Sequence, residues 1–404
     1  MIPIVPIEDL NLINHPLLGN QTLSGLKNPP PLSLYIHIPW CVRKCPYCDF
    51  NSHESKQEIP EAAYVDALIA DLEQATPLIW GRKIYSVFFG GGTPSLFSAE
   101  AIDKILSHVR MLTPLEYGAE ITLEANPGTI DIANFEGYKQ AGVNRVSLGI
   151  QSFDNRYLKA LGRIHDSEQA LNAVQLALKT FDKVNLDVMY GLPEQSIEDA
   201  LHDAELACSL NPAHLSFYHL TLEPNTPFHR TPPSLPDDDT SATMQEEIEK
   251  ILATHGYENY ETSAFAKADM QCHHNLNYWT FGDYLGIGAG AHSKLSFHDK
   301  IIRQARHKHP KRYMEHATKG KAVDQEWQIK NEELGFEFMM NALRLTKGFD
   351  KDLFPARTGI PLISLQNELK QASQLGLLSE YQQTIQPTLK GRRFLNNLLD
   401  IFLP

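Results

Sequence analysis

Tyr35–Phe50 reads YIHIPWCVRKCPYCDF, and three of its residues decide how the rest of the chain is read. Cys41, Cys45 and Cys48 are spaced C-x3-C-x2-C, so three thiols fall within eight residues and can converge on one metal centre. A [4Fe–4S] cluster normally takes four thiolates. Three would leave one iron open to a ligand that is not protein, the arrangement of a reactive cluster and not of a structural staple. A zinc site remains the alternative from residues alone. It usually wants four ligands in paired C-x2-C spacing, and His37 and His53 flank the thiols and can complete such a shell.

Outward from this run the chain alternates short apolar stretches with amphipathic ones. Expected strands are Leu34–Ile38, Ile84–Phe89, Glu120–Glu124, Arg145–Gly149, Asn185–Met189 and Leu215–Leu220. Helical periodicity fills the gaps at Ala62–Gln74, Ala99–Met111, Ile130–Ala141, Ser167–Thr180, Ile197–Leu210 and Ala242–Thr254. Strands alternating with helices predict right-handed crossovers and a parallel sheet. Six units are fewer than the eight of a closed barrel, so the expected fold is α/β, a partial (β/α)6 barrel open on one side.

Polar residues gather at the strand ends, where parallel α/β sheets bind ligands. The cysteine run follows strand one, Gly90-Gly91-Gly92-Thr93 follows strand two, Glu124 ends strand three, Gln151 follows strand four and Asp187 lies on strand five. Taken singly, the glycines suit a tight turn and each carboxylate suits a cap or an ion pair. Beyond residue 325 come helical patterns at Glu332–Ala342 and Ile363–Leu375, a strand pair in Leu377–Leu389 and a last helix over Arg392–Phe402. They suggest a small helical, winged-helix-like domain. The expected division is an N-terminal extension over 1–31, the barrel with its extension over 32–325, and the small domain over 326–404.

Composition narrows the function. The 404 residues carry a net charge of −13, which argues against a nucleic-acid partner. Residues 325–404 balance nine Lys/Arg against nine Asp/Glu, without the basic footprint of a DNA reader. No stretch of 18 apolar residues predicts a membrane span. The first residues, MIPIVPIEDLNLINHP, lack the pattern of a signal peptide. Five cysteines, three of them crowded, suit a reducing cytoplasm better than a disulfide framework. The basic run Arg303–Arg312 reads as a solvated face, with pairing to the carboxylates of a ligand or to an acidic partner as the alternative.

The run Cys41-x3-Cys45-x2-Cys48, with Tyr47 before the last thiol, resembles the signature of radical S-adenosylmethionine (SAM) enzymes. The resemblance implies a [4Fe–4S] cluster on the three thiolates, SAM chelated at the open iron, and reductive cleavage of SAM to a 5′-deoxyadenosyl radical. It also implies the partial (β/α)6 barrel, and it makes the glycine run similar to that family's GGE-like motif, which holds the SAM amino group. The phrases EANPG, GIQSF, LGRIH and NLDVMYGLP, with Tyr35 in YIHIP, look like one branch, the oxygen-independent coproporphyrinogen oxidases and their relatives. In that branch the residues matching Tyr35, Gly91 and Glu124 bind the cluster-bound SAM. Those matching Gly92, Thr93, Gln151, Arg163 and Asp187 surround a second one.

Two features depart from the oxidases. Phe50 stands where they carry a further cysteine, and residues 1–30 show no counterpart of their substrate-proximal segment. The phrase His274-Asn275-Leu276-Asn277-Tyr278-Trp279 instead resembles the sister branch, the heme chaperones. So does GIGAGAHS at Gly286–Ser293, otherwise a turn packed on the barrel. Alone, His274 suits a packed core histidine. The resemblance implies heme binding near His274, with Cys272 and His273 as neighbouring ligand candidates. It further implies delivery of heme to acceptor proteins, some of them reached by peripheral contact at a membrane, and no coproporphyrinogen oxidase activity. The competing expectations are the oxidase itself, or a non-catalytic interaction module.

Overall fold

The computed structural model describes residues 25–129, 132–380 and 382–404. Residues 1–24 of the expected N-terminal extension, and the start of the third expected helix, lie outside them. The six expected strands all form: β1 Leu32–Ile38, β2 Ile84–Gly91, β3 Leu115–Ala125, β4 Arg145–Gln151, β5 Lys183–Tyr190 and β6 His214–His219. They pair in parallel in that order. The longer helices between them are α1 Glu61–Ala75, α2 Ala99–Leu112, α3 Ile132–Ala141, α4 Ser167–Thr180 and α5 Ile197–Ser209, and α6 Asp238–Thr254 follows β6.

Local chemistry sets where these helices start. Ser98, Asp166, Ser196 and Asp237 each cap a helix by accepting a first-turn backbone N–H, and Asp166 forms a full capping box with Gln169. Alternate residues of the strands turn Leu34, Ile36, Val87, Phe89, Leu123, Val146, Leu148, Leu186 and Val188 onto the helices, forming one continuous apolar core. The other face therefore carries the polar alternates Ser33, Tyr35, His37, Ser86, Glu120, Glu124, Arg145, Asn185 and Asp187.

The sheet is larger than six strands. Strands β7 Glu258–Asn259 and β8 Ala264–Ala266 add antiparallel pairing beyond β6. On the far side of β1, β9 Asp283–Ile287 runs parallel to it, followed antiparallel by β10 His292–Ser296, β11 Ile301–Arg306 and β12 Val323–Gln328. The twelve-stranded order is β12-β11-β10-β9-β1-β2-β3-β4-β5-β6-β8-β7. GIGAGAHS begins on β9, turns over Gly288–Ala291 and ends on β10. One expectation is corrected in part: Arg303 and Arg306, at the start of the basic run, lie on β11 and are paired with carboxylates, whereas Lys308, Lys311 and Arg312 stay exposed. Arg306, only 1% exposed, donates to Asp71 at 3.3 Å, and Tyr313 donates to the same carboxylate at 2.9 Å. Lys294 reaches Asp283 at 3.0 Å, also buried.

A second core gathers Ile329, Leu334, Phe338, Met339, Phe349, Phe354, Leu369, Ile385 and Leu398. Around it stand helices Leu334–Ala342, Leu353–Thr358 and Gln366–Gln374 and a three-stranded sheet of Phe349–Asp350, Leu378–Glu380 and Thr384–Pro387. The expected last helix is broken at Phe394 into Leu389–Arg393 and Leu395–Asp400. Among the described residues no helix is long and apolar enough to cross a membrane.

Candidate metal and cofactor site

The cysteine run leaves β1 at its C-terminal end and is pinned on several sides. Trp40–Cys41 and His53–Glu54 form a short parallel ladder, closed by His53 N–H to the Pro39 carbonyl at 2.7 Å and Ser55 N–H to the Cys41 carbonyl at 2.9 Å. Lys44 Nζ spans the loop to the carbonyls of Phe50 and Ser52, both at 3.1 Å. Phe228 N–H bonds the Pro46 carbonyl at 3.0 Å, and the Phe228 ring faces Tyr47. All five cysteines are free. Burial raises the Cys41 and Cys48 thiols, and Coulombic repulsion among the three neighbouring sulfurs raises them further, so they share one locality. Among the described residues no three His, Cys, Asp or Glu side chains close to single-ion spacing. A cubane spreads its thiolates over separate irons, so this donor set fits a cluster better than zinc. His37 is not a free donor, since both ring nitrogens are already engaged.

The glycine run packs directly beneath the thiols. Gly92 N–H donates to Ile38 O and Thr93 N–H to Trp40 O, both at 2.8 Å. A Cβ at Gly92 would stand 2.5 Å from Trp40 O, so only glycine permits this approach. Gly91 has φ of +116°, and its N–H donates to Glu124 Oε2 at 3.2 Å. Tyr35 and Glu124 flank Gly90 from opposite sides. Glu124 is partly open to the mouth yet ringed by protein. Burial first, then the Asp187 charge, push its carboxyl up to about 8.

Across the mouth, Gln151 ends β4 with φ of +67°, a left-handed backbone that non-glycine residues adopt at a cost and mostly at functional sites. Gly149 makes room for both Gln151 and Arg163. Arg163 Nη2 donates to Gly149 O at 2.7 Å and Nη1 points to Cys45 Sγ at 3.7 Å. Its buried Nε has no hydrogen-bond partner among the described residues. That idle donor, on a guanidinium that also lines the cleft beside Cys45, suits an anionic ligand group such as a carboxylate. Asp187 accepts from Ser147 at 2.8 Å and Asn185 at 2.8 Å, and burial raises its carboxyl. A cleft beside Cys45 is lined by Thr93, Gly162 and Arg163, together with Asn126 and Thr129. The last two were not singled out in the sequence, although Asn126 lies within EANPG.

Contacts join Tyr35, Gly91 and Glu124 around Gly90, and Gln151 and Arg163 around Gly149, while Cys45, Thr93 and Arg163 line one cleft; Asp187 stands on the same polar face within β5. His274 lies deeper. It is on helix α7 His273–Trp279, 5% exposed, stacked on Phe88 at 4.7 Å between ring centroids, with Tyr35 at 6.2 Å and Tyr278 at 5.0 Å. Desolvation in this aromatic packing lowers its pKa to about 3, so the ring is neutral. The start of α7 is held by His273 N–H to Glu120 Oε1 at 2.9 Å. Phe50, by contrast, is 60% exposed at the rim of the cysteine loop.

The model of the radical SAM superfamily matches residues 35–207, and that of the HemN C-terminal domain matches 329–394. The chain is 48% identical over 379 residues to the protein named heme chaperone HemW of Escherichia coli, covering 93% of this chain and 98% of the relative. The Haemophilus influenzae protein of that name is 49% identical over 383 residues, with the same two coverages. That of Bacillus subtilis is 33% identical, covering 92% and 99%. Among solved structures, coproporphyrinogen III oxidase (HemN) from E. coli matches with a TM-score of 0.79 at 24% identity, over 94% of this chain and 92% of that one, a likeness of fold.

Proposed function

The chain belongs to the HemW family of the radical SAM superfamily, and we propose that it is a heme chaperone that binds heme and delivers it to acceptor proteins. The observation that carries this reading is the near full-length identity to relatives of that name, 48% with the E. coli protein. In this reading Cys41, Cys45 and Cys48 hold a [4Fe–4S] cluster, Tyr35, Gly91 and Glu124 take the SAM bound there, and Gly92, Thr93, Gln151, Arg163 and Asp187 line a second position. When bound, such a cluster offers an open iron and a transferable electron. The residues around it supply acceptors at Tyr35 and Glu124, and donors at the idle Arg163 Nε and the glycine backbone.

Heme is cargo, and the region around His274 is its candidate seat. In the conformation described, His274 is covered by Phe88 and Tyr35. Ligation by its imidazole therefore requires α7 to move away from β2. The oxidase reading draws on the retention of Gln151, Arg163 and Asp187, which match that branch's second SAM position. Against it stands Phe50, whose ring has no thiol chemistry to replace the cysteine of the oxidases. We place the protein in the cytoplasm, with any membrane-bound acceptor reached by surface contact. We take residues 1–31 as an extension and set the division between barrel and small domain near residue 325, a reading supported by the second apolar core drawn mostly from residues beyond it.

The experiment is anaerobic reconstitution of iron and sulfide, followed by two assays on the same sample. Heme titration is expected to saturate at a fixed ratio to protein, and coproporphyrinogen III with SAM and reductant is expected to remain unconverted. Stoichiometric formation of protoporphyrinogen IX, or heme uptake that never saturates, overturns the proposal.

A further inference from the structure

His37 lies two residues after Tyr35 on β1, so both side chains stand on the polar face of the sheet. Its imidazole is 5% exposed and enclosed by the Gly91 backbone, where a Cβ would come within 2.5 Å of the ring. Both nitrogens are in use. Nε2 lies 2.9 Å from the carbonyl oxygen of Asn51, and Nδ1 lies 3.0 Å from the Tyr35 hydroxyl. Asn51 is itself fixed, because its Nδ2 donates to the carbonyls of Ala289 and Lys308, both at 2.9 Å. A chain of hydrogen bonds therefore runs from Tyr35 through His37 to the backbone three residues after Cys48, and on to the turn between β9 and β10.

The direction of each bond follows from chemistry. A carbonyl oxygen only accepts, so His37 Nε2 must carry the proton. Burial disfavours the imidazolium, and the neighbouring His53 and His292 add to that, so the ring is neutral. A neutral ring protonated at Nε2 has a lone pair at Nδ1. Tyr35 must then donate its hydroxyl proton to Nδ1, which leaves only lone pairs on the Tyr35 oxygen for anything else.

We propose that His37 is a positioning residue that fixes Tyr35 as a pure hydrogen-bond acceptor toward the ligand and locks that acceptor to the cysteine loop through Asn51. With Glu124 on the other side of Gly90, the edge of β1–β3 becomes an acceptor pair that selects a ligand group carrying N–H or O–H donors, such as an amine. The choice of SAM as that ligand rests on the reading above, whereas the direction of the bonds does not.

The test begins on apoprotein labelled with [15N]histidine, with His37 assigned from the signals lost in His37→Gln. The expected spectrum has a protonated Nε2 and an unprotonated Nδ1 at neutral pH. A protonated Nδ1 overturns the proposal, whatever the fate of SAM binding. The second arm measures SAM dissociation constants and iron content in reconstituted protein. Gln can reach Asn51 O but offers Tyr35 no acceptor, so His37→Gln is expected to weaken SAM about tenfold. Asn places its oxygen near the Nδ1 position, and His37→Asn is expected to recover most of that loss. In a Tyr35→Phe background His37→Gln should cost nothing further, because both act through one hydroxyl. Independent, additive losses in that cycle refute a positioning role.

Discussion

Glu124 gives a quantitative test of how the mouth recognises its ligand. Its carboxyl is pushed up to about 8, by burial and then by the Asp187 charge, with the Gly91 N–H pulling the other way. Near neutral pH it is therefore mostly protonated, and a ligand amine that needs the carboxylate must first displace the proton. Each pH unit below the pKa costs about tenfold in apparent affinity, or roughly 1.4 kcal/mol. The sign follows directly: binding tightens as pH rises toward 8 and levels off beyond it. The assay is equilibrium dialysis of SAM against anaerobically reconstituted protein from about pH 6 to pH 9, on wild type and Glu124→Gln. The amide is nearly isosteric but cannot ionise, so any titration of SAM itself survives in the variant and cancels in the ratio. That ratio is expected to grow about tenfold per unit up to pH 8 and then flatten. A ratio independent of pH refutes the claim that the Glu124 carboxylate meets a cationic or donor group.

Three further outcomes follow from packing. Arg306→Met leaves Asp71 buried with only Tyr313 and the Gly288 N–H to solvate it, so the loss in urea denaturation should be about 3–5 kcal/mol. A loss below about 1 kcal/mol, the value of an exposed pair, contradicts the buried-pair reading of β11. Gly91→Ala forces a side chain onto a φ of +116° and into the His37 ring; the expected cost is about 2–4 kcal/mol in denaturation, with reduced iron uptake, and an unchanged unfolding curve contradicts it. His274→Ala removes a ring stacked on Phe88 beside Tyr35 and should weaken heme at least tenfold while the iron–sulfur absorption persists. An unchanged heme titration moves the cargo site away from α7.

The parts of the molecule set by short-range spacing were legible in the sequence. The thiols of Cys41, Cys45 and Cys48, the six parallel strands and the polar residues at their ends all depend on intervals within one or two elements. Long-range pairing was not legible. Strand β11 carries Arg303 and Arg306, which read as surface charges because their partners are remote. Asp71 lies 235 positions from Arg306, and Glu337 meets Arg303 from the small domain. His37, one of the two histidines that the zinc alternative could draw on, instead has both nitrogens held by Tyr35 and Asn51. The strain at Gln151 and the idle Arg163 Nε are properties of folded geometry that no pattern of residue types displays.

The central claim is that this mouth and α7 serve heme delivery. Its most direct measurement is transfer of heme from the reconstituted protein to an apo-form heme acceptor, followed by the acceptor's own absorption and activity. Heme-loaded wild type is expected to convert the acceptor faster than an equal amount of free heme does, and His274→Ala to lose that advantage. Retention of heme by the wild type, or conversion no faster than with free heme, contradicts the account.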